Sequence, residues 1–221
     1  MRFPEQNYPP PQSFAVRRSG RAMKQFAVGT FFTALLSLLL ASAAWGQTSF
    51  TTINTLLAKG DGYFPIGNLT RDSQGVFYGV SNKGGSIFQM TPPALNGGSW
   101  TKTTIYHGQA PGVPVGPPIQ SVIVGNDGAL YGTSQMCAGT PWYFGCVFQM
   151  LNSGGVWSLN VIYYFQGAAK GDGRAPVPGN LVTDAKGNLY GVTGSGGLHD
   201  DSSAGTVYRL ARPRAGQNLF S

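Results

Sequence analysis

The chain has 221 residues, with 15 Lys and Arg against 8 Asp and Glu, and its formal net charge is +7. Residues 1–46 hold five of the basic residues and one of the acidic ones, so residues 47–221 carry a net charge of only +3. In residues 47–221 the bases are scattered without interleaved aromatic residues, which argues against nucleic-acid binding. The same residues contain no Glu and are rich in Gly, Thr, Ser and Asn, which argues against a helical protein.

The N-terminal segment has the order of a secretory signal peptide. A basic stretch at 17–24 precedes an apolar stretch at 26–44, and small residues flank Trp45, where a signal peptidase would cleave. A membrane-spanning helix needs about 20 apolar residues and no such exit. Residues 1–46 are therefore predicted to be an N-terminal extension and signal peptide, with Met23 as an alternative translation start. The mature chain is expected to be extracellular, at the cell surface or periplasmic, without a membrane span.

Residues 47–221 carry a tandem repeat, with units at about 60–107, 108–168 and 169–221. Each unit has a block of the type Gly-Asn-Leu-Tyr-Gly-Val-Thr, as at 187–193, followed after a glycine-containing loop by a block of the type Val-Phe-Gln-Met. The second blocks lie 60 residues apart while the loops vary in length, so the blocks are predicted to be core. The predicted repeat-core residues are Tyr78, Phe88, Tyr131, Phe148, Tyr190 and Tyr208.

Each unit is predicted to hold four strands. In the third unit, residues 181–183 and 188–193 flank a polar Asp-Ala-Lys-Gly connection, which is a hairpin signal, and 207–210 is the third strand. The fourth strand is visible at 157–165 of the second unit, in a run of β-branched and aromatic residues, and a degenerate copy at 50–56 precedes the first unit.

Four short strands in a unit of about 50–60 residues are typical of a β-propeller blade rather than of a solenoid coil. Closed propellers have about 4 to 8 blades. The predicted fold is therefore an all-β, propeller-type array of about three blades. Such an array is an incomplete propeller, for which a fragment of a longer propeller is the favoured interpretation and a ring assembled from several chains is the alternative.

Several blocks together resemble the GloVer tandem repeat of exported bacterial proteins. The resemblance covers about residues 50–221, although the second unit has Gly125 where the others have Asp, and Cys146 where the third has Thr206. It implies a propeller-like, secreted or surface-anchored protein and brings no catalytic residues. The blocks in the third unit are Gly171-Asp-Gly173, Asp184-x-x-Gly-Asn-Leu-Tyr-Gly191 and Gly205-Thr-Val-Tyr208.

The two cysteines, Cys137 and Cys146, lie close together in the second unit. In an oxidising compartment this spacing predicts a disulfide, since two thiols without a neighbouring His do not complete a tetrahedral metal site. The loop between them carries Trp142, Tyr143 and Phe144, which are candidate contacts for a carbohydrate or protein ligand. Packing on the neighbouring blade is the alternative for these aromatic residues.

No catalytic, cofactor or metal site is predicted. The two histidines, His107 and His199, lie at different repeat positions, and no nucleophile elbow, paired-His metal helix or phosphate loop is present. Asp61 and Asp172 recur in Lys-Gly-Asp-Gly, but their carboxylates are too sparse for a calcium loop, so turn formation is the favoured interpretation.

The sequence therefore predicts an exported binding or structural module with no catalytic activity and no cofactor. Its expected partner is a protein or carbohydrate ligand rather than nucleic acid. Two alternatives stay open. One is an extracellular carbohydrate-active enzyme, which would need paired carboxylates. The other is a lectin-like propeller assembled from several chains.

Overall fold

The computed structural model describes residues 50–56, 63–95, 97–139, 141, 144–179, 181–198 and 204–213. The predicted leader at 1–46 lies outside these residues. The described chain forms twelve β-strands and one short 3-10 turn, Ala168–Lys170, with no α-helix. The all-β class predicted from the sequence is confirmed. No helix in this part of the chain has the length and apolar character needed to cross a membrane.

The first sheet is an antiparallel meander of four strands in which consecutive strands pair. Its second and third strands pair in five steps, from Phe77 opposite Met90 to Ser81 opposite Ser86. The strands are β1 (Tyr63–Arg71), β2 (Phe77–Lys83), β3 (Ser86–Thr91) and β4 (Thr101–His107).

The second sheet repeats this meander. Its central pairing again runs in five steps, from Leu130 opposite Met150 to Ser134 opposite Cys146. Because the same register recurs, residues of the two sheets can be matched one by one. The strands are β5 (Val115–Val124), β6 (Leu130–Cys137), β7 (Cys146–Ser153) and β8 (Val156–Tyr164).

The third sheet differs in its first and last strands. β9 (Gly173–Pro176) pairs with the C-terminal half of β11 (Leu189–Gly196), and β10 (Val182–Thr183) pairs with the N-terminal end of β11. β12 (Val207–Leu210) pairs with the N-terminal half of β11. The two short strands β9 and β10 take the place of the single first strand of the other sheets, and Pro178 lies in the segment between them. The three predicted strands of this unit are confirmed, but no described residue pairs with the outer edge of β12.

Two hydrophobic clusters join the three sheets in chain order, because each cluster draws buried side chains from two successive sheets. Among the described residues, only the second sheet is covered on both faces. The first cluster contains Tyr78, Val80 and Ile87 of the first sheet with Val122, Leu130 and Phe148 of the second. The second cluster contains Tyr131 and Val147 of the second sheet with Leu181, Leu189 and Leu210 of the third.

Candidate functional site

The same polar lock holds the first hairpin of every sheet. In the first sheet, Asp72 Oδ1 accepts the backbone N–H of Gln74 and of Val76, each at 2.9 Å, and Oδ2 accepts the Tyr78 hydroxyl at 3.0 Å. The carboxylate therefore closes the turn and at the same time satisfies a phenol that packs into the core.

The third sheet uses the equivalent residues. Asp184 Oδ1 accepts the backbone N–H of Lys186 and of Asn188, each at 2.9 Å, and Oδ2 accepts the Tyr190 hydroxyl at 3.0 Å. Hydrogen bonds, first of all the one from the Asn188 side chain, lower the pKa of the Asp184 carboxyl. The block Asp-x-x-Gly-x-x-Tyr therefore encodes a structural turn.

The second sheet reaches the same result from a different position. Here Asp127 Oδ2 accepts the Tyr131 hydroxyl at 2.8 Å, while Oδ1 accepts the backbone N–H of Ala129 at 3.2 Å. A Cβ added at Gly125 would lie 2.5 Å from the Tyr131 ring and 2.8 Å from Asp127 Oδ1. Gly125, which departs from the repeat in sequence, is thus required by the shifted carboxylate.

The locks of the first and second sheets raise the pKa of their tyrosines. Burial, followed by the hydrogen bond and the negative charge of the neighbouring Asp, raises the pKa of Tyr78 and of Tyr131 to about 12. Tyr131 also accepts a hydrogen bond from the Gln149 side chain at 2.8 Å. The neutral phenol is the form that these sites hold.

A glycine follows each lock tyrosine because an aromatic ring from the next strand lies over it. A Cβ at Gly79 would lie 2.6 Å from the Phe88 ring, and the rings opposite the equivalent glycines approach at least as closely. A side chain at these positions would collide with the core. The glycine and aromatic pairs are Gly79 with Phe88, Gly132 with Phe148, and Gly191 with Tyr208.

A second tyrosine ties each outer strand to the following sheet. The Tyr106 hydroxyl, on β4, donates to the Val115 carbonyl at 2.6 Å. The Tyr163 hydroxyl, on β8, donates to Asp172 Oδ2 at 2.9 Å, and Asp172 also accepts the backbone N–H groups of Gln166 and Gly173. These links cannot be read from the sequence, although both outer strands have Tyr at the same position.

The link to Tyr163 explains one of the two Asp residues for which calcium binding was considered. Asp172 is occupied by a phenol and two amides, as the turn interpretation requires, whereas Asp61 lies outside the described residues. No group of three or more His, Cys, Asp or Glu side chains that could hold a metal ion occurs in the described part of the chain.

The predicted disulfide is present. Cys137 and Cys146 are bonded, with their Cα atoms 6.1 Å apart, and they join the end of β6 to the start of β7. Closing so short a loop contributes about 2–3 kcal/mol in the chain-entropy account.

Of the aromatic residues in the disulfide loop, Trp142 and Tyr143 lie outside the described residues. Phe144 is half-buried, and a Cβ at Gly167 would lie 2.9 Å from its ring. The Phe144 carbonyl accepts the Ala175 N–H of the third sheet at 3.1 Å. Phe144 therefore packs where the second and third sheets meet. This agrees with the alternative that the loop aromatics pack on the neighbouring blade.

Three cavities lie among these elements. One of about 230 Å³ lies where the first strands of all three sheets converge. A second, of about 410 Å³, adjoins the disulfide beside Pro117, Met136 and Pro141. A third, of about 340 Å³, opens on the first sheet. Apart from the bonded Cys137, none of their lining residues is ionisable. The cavity shared by the three sheets is lined at matching positions by Leu69, Val122 and Leu181 and by Thr70, Ile123 and Val182.

The six predicted repeat-core residues are not equally covered. Tyr78, Phe88, Tyr131 and Phe148 are buried, whereas Tyr190 and Tyr208 in the third sheet are partly buried. His107 is exposed, and His199 lies outside the described residues.

Comparison with known proteins adds no relative: no protein-family model and no curated protein matches the chain.

Proposed function

We propose that the chain is an exported, propeller-type repeat protein of the GloVer kind that serves as a binding or structural module outside the cytoplasm. Three sheets with the same turn lock, the same glycine and aromatic pairing and a shared cavity at their first strands support a radial array. The disulfide supports residence in an oxidising compartment.

The use of the carboxylates carries the non-catalytic part of this proposal. Acid–base hydrolysis needs carboxyl groups that face a substrate. Each of the four described Asp residues instead accepts a tyrosine hydroxyl and at least one backbone N–H. They are Asp72, Asp127, Asp172 and Asp184.

We propose that the ligand is a carbohydrate or a protein bound at the disulfide loop. The disulfide fixes both ends of this loop, which reduces the entropy lost when it orders on a ligand. The adjoining cavity is lined by apolar groups and backbone, which suits a sugar face or an extended peptide. The loop sequence supplies two large aromatic residues, Trp142 and Tyr143.

Affinity electrophoresis of the exported protein in gels that contain polysaccharides tests this proposal. We expect the native chain to be retarded and the double variant Trp142→Ala with Tyr143→Ala to migrate without retardation. The control Tyr164→Ala, which removes an exposed aromatic residue from the outer strand β8, should be retarded like the native chain. Binding that survives the double substitution would place the ligand elsewhere. Release of reducing ends from the polysaccharide would show an enzyme.

Export has its own test. Mass spectrometry of the exported protein should find a mature N-terminus near Gln47, because the small residues that a signal peptidase reads end there. An intact Met1 or Met23 terminus on exported protein would refute cleavage.

A further inference from the structure

The first sheet exposes a face that the second and third sheets bury. Leu69 is 54% exposed, whereas the matching residues Val122 and Leu181 are 2% and 3% exposed. The three correspond because each precedes the partner of a lock tyrosine in the first hairpin. In the second and third sheets this face packs against the preceding sheet.

The third sheet exposes the opposite face. Val207 on β12 is 83% exposed, whereas the matching residues Ile87 and Val147 are fully buried against the following sheet. Their match follows from the common pairing register of the second and third strands. The two open faces are therefore the same two kinds of face that pack together at both internal interfaces.

Residues 51–56 lie beside the first sheet without belonging to it. Ile53 and Leu56 line the 340 Å³ cavity on the open face of the first sheet together with Phe88. Phe165, which directly follows β8, contacts the ring of Tyr208 on the third sheet, the residue that matches Phe88, with ring centroids 5.2 Å apart.

Among the described residues, the third sheet has no outer strand of the kind that this segment resembles in sequence. In the first two sheets, β3 and β7 pair on their outer side with β4 and β8. No described residue pairs with the corresponding side of β12. The segment 50–56 has the sequence character of β4 and β8 and belongs to no strand.

We propose that two copies of this chain associate head to tail, with residues 50–56 of each copy adding to β12 of the other as its outer strand. The open face of each first sheet then packs on the open face of the partner's third sheet, in continuity with the internal interfaces. The described sheets of two copies number six, which lies within the usual range of about 4 to 8 blades for a closed ring.

This inference rests on the propeller architecture of the proposed function and not on its ligand. Sedimentation equilibrium of the exported protein at about 10 µM should show a dimer, because both open faces are then covered. Thr52→Pro with Ile53→Pro removes a backbone donor on each side of the added strand and should weaken the dimer at least about tenfold. Thr52→Val with Ile53→Val keeps strand character and should leave it intact.

A second pair of variants separates association from folding. Val207→Asp places a charge where a single copy exposes it to water, so the chain should fold but dimerise on the order of 100-fold more weakly. Val156→Asp, at a site 72% exposed on β8, is the matched control and should dimerise normally.

Three outcomes would overturn the inference: a native chain that stays monomeric, a dimer that resists both disrupting variants, or an open polymer instead of a dimer. Polysaccharide retardation measured on the same samples reports on the proposed function separately. A monomer that still binds polysaccharide would remove the ring closure and leave the binding module in place.

Discussion

The second and third sheets have the same sequence blocks but differ in burial. Val147 is fully buried and Val207 is 83% exposed, although both occupy the same position of the same block. Tyr131 is likewise buried and Tyr190 only partly so. The block sets the hairpin and the register, whereas the neighbouring sheet sets how much free energy each side chain contributes.

The largest expected effect is that of removing a lock tyrosine. Tyr131→Ala should lower the free energy of unfolding by about 3–4 kcal/mol, because it removes a buried ring and the partner of a carboxylate. Tyr190→Ala should lower it by only about 2 kcal/mol, since its ring is partly exposed. Urea midpoints of the two variants measure the difference, and equal losses would contradict the comparison.

Moving the lock within the second sheet should have the next largest effect. Gly125→Asp should destabilise by about 2–3 kcal/mol, because its Cβ collides with the Tyr131 ring. Adding Asp127→Lys gives the second sheet the same turn residues as Asp184 and Lys186 in the third, and should recover about half of that loss. If the single substitution is neutral, Gly125 is not required by the lock.

Trimming the two matched valines isolates burial from sequence. Val147→Ala should lower the free energy of unfolding by about 2 kcal/mol, and Val207→Ala by less than about 0.5 kcal/mol in a single copy. Equilibrium unfolding by fluorescence, carried out in dilute solution, measures both. A large loss in the third sheet would mean that Val207 is covered within one chain.

High pH should act through the locks. The pKa of Tyr78 and of Tyr131 is about 12 in the folded chain against 10.0 for a free phenol. Because the folded value is the higher one, this contribution to stability is complete below pH 10 and is lost as the pH rises through 12. Denaturant midpoints should fall across that window, and the fall should be smaller in Tyr131→Phe. An unchanged midpoint up to pH 12 would contradict the locks.

The sequence was sufficient for what is local. The hairpin around Asp184, the strand at 207–210 and the Cys137–Cys146 disulfide all follow from turn chemistry, β-branched character and cysteine spacing, and the structure contains them. These features depend on residues that are close together in the chain, so they can be predicted from the local sequence.

What the sequence did not reveal depends on atoms brought together in space. In the sequence, Gly125 suggests that the second sheet has lost the Asp of the lock. The structure shows that Asp127 replaces it, because its carboxylate accepts the Tyr131 hydroxyl. The link from Tyr163 to Asp172 crosses between two sheets. Burial at Val207 could not be predicted from its block either, because the block is the same in all sheets and the neighbour is not.

Hydrogen exchange measured on the Val207→Asp variant, so that a single copy is observed, compares the three repeat blocks directly. We expect amides of β6 and β7, covered on both faces, to exchange more slowly than the matching amides of β2 and β3, and those of β11 and β12 to exchange fastest. Equal protection of the three blocks, or slowest exchange in the third sheet, would contradict the view that neighbouring strands and sheets set the stability of each block.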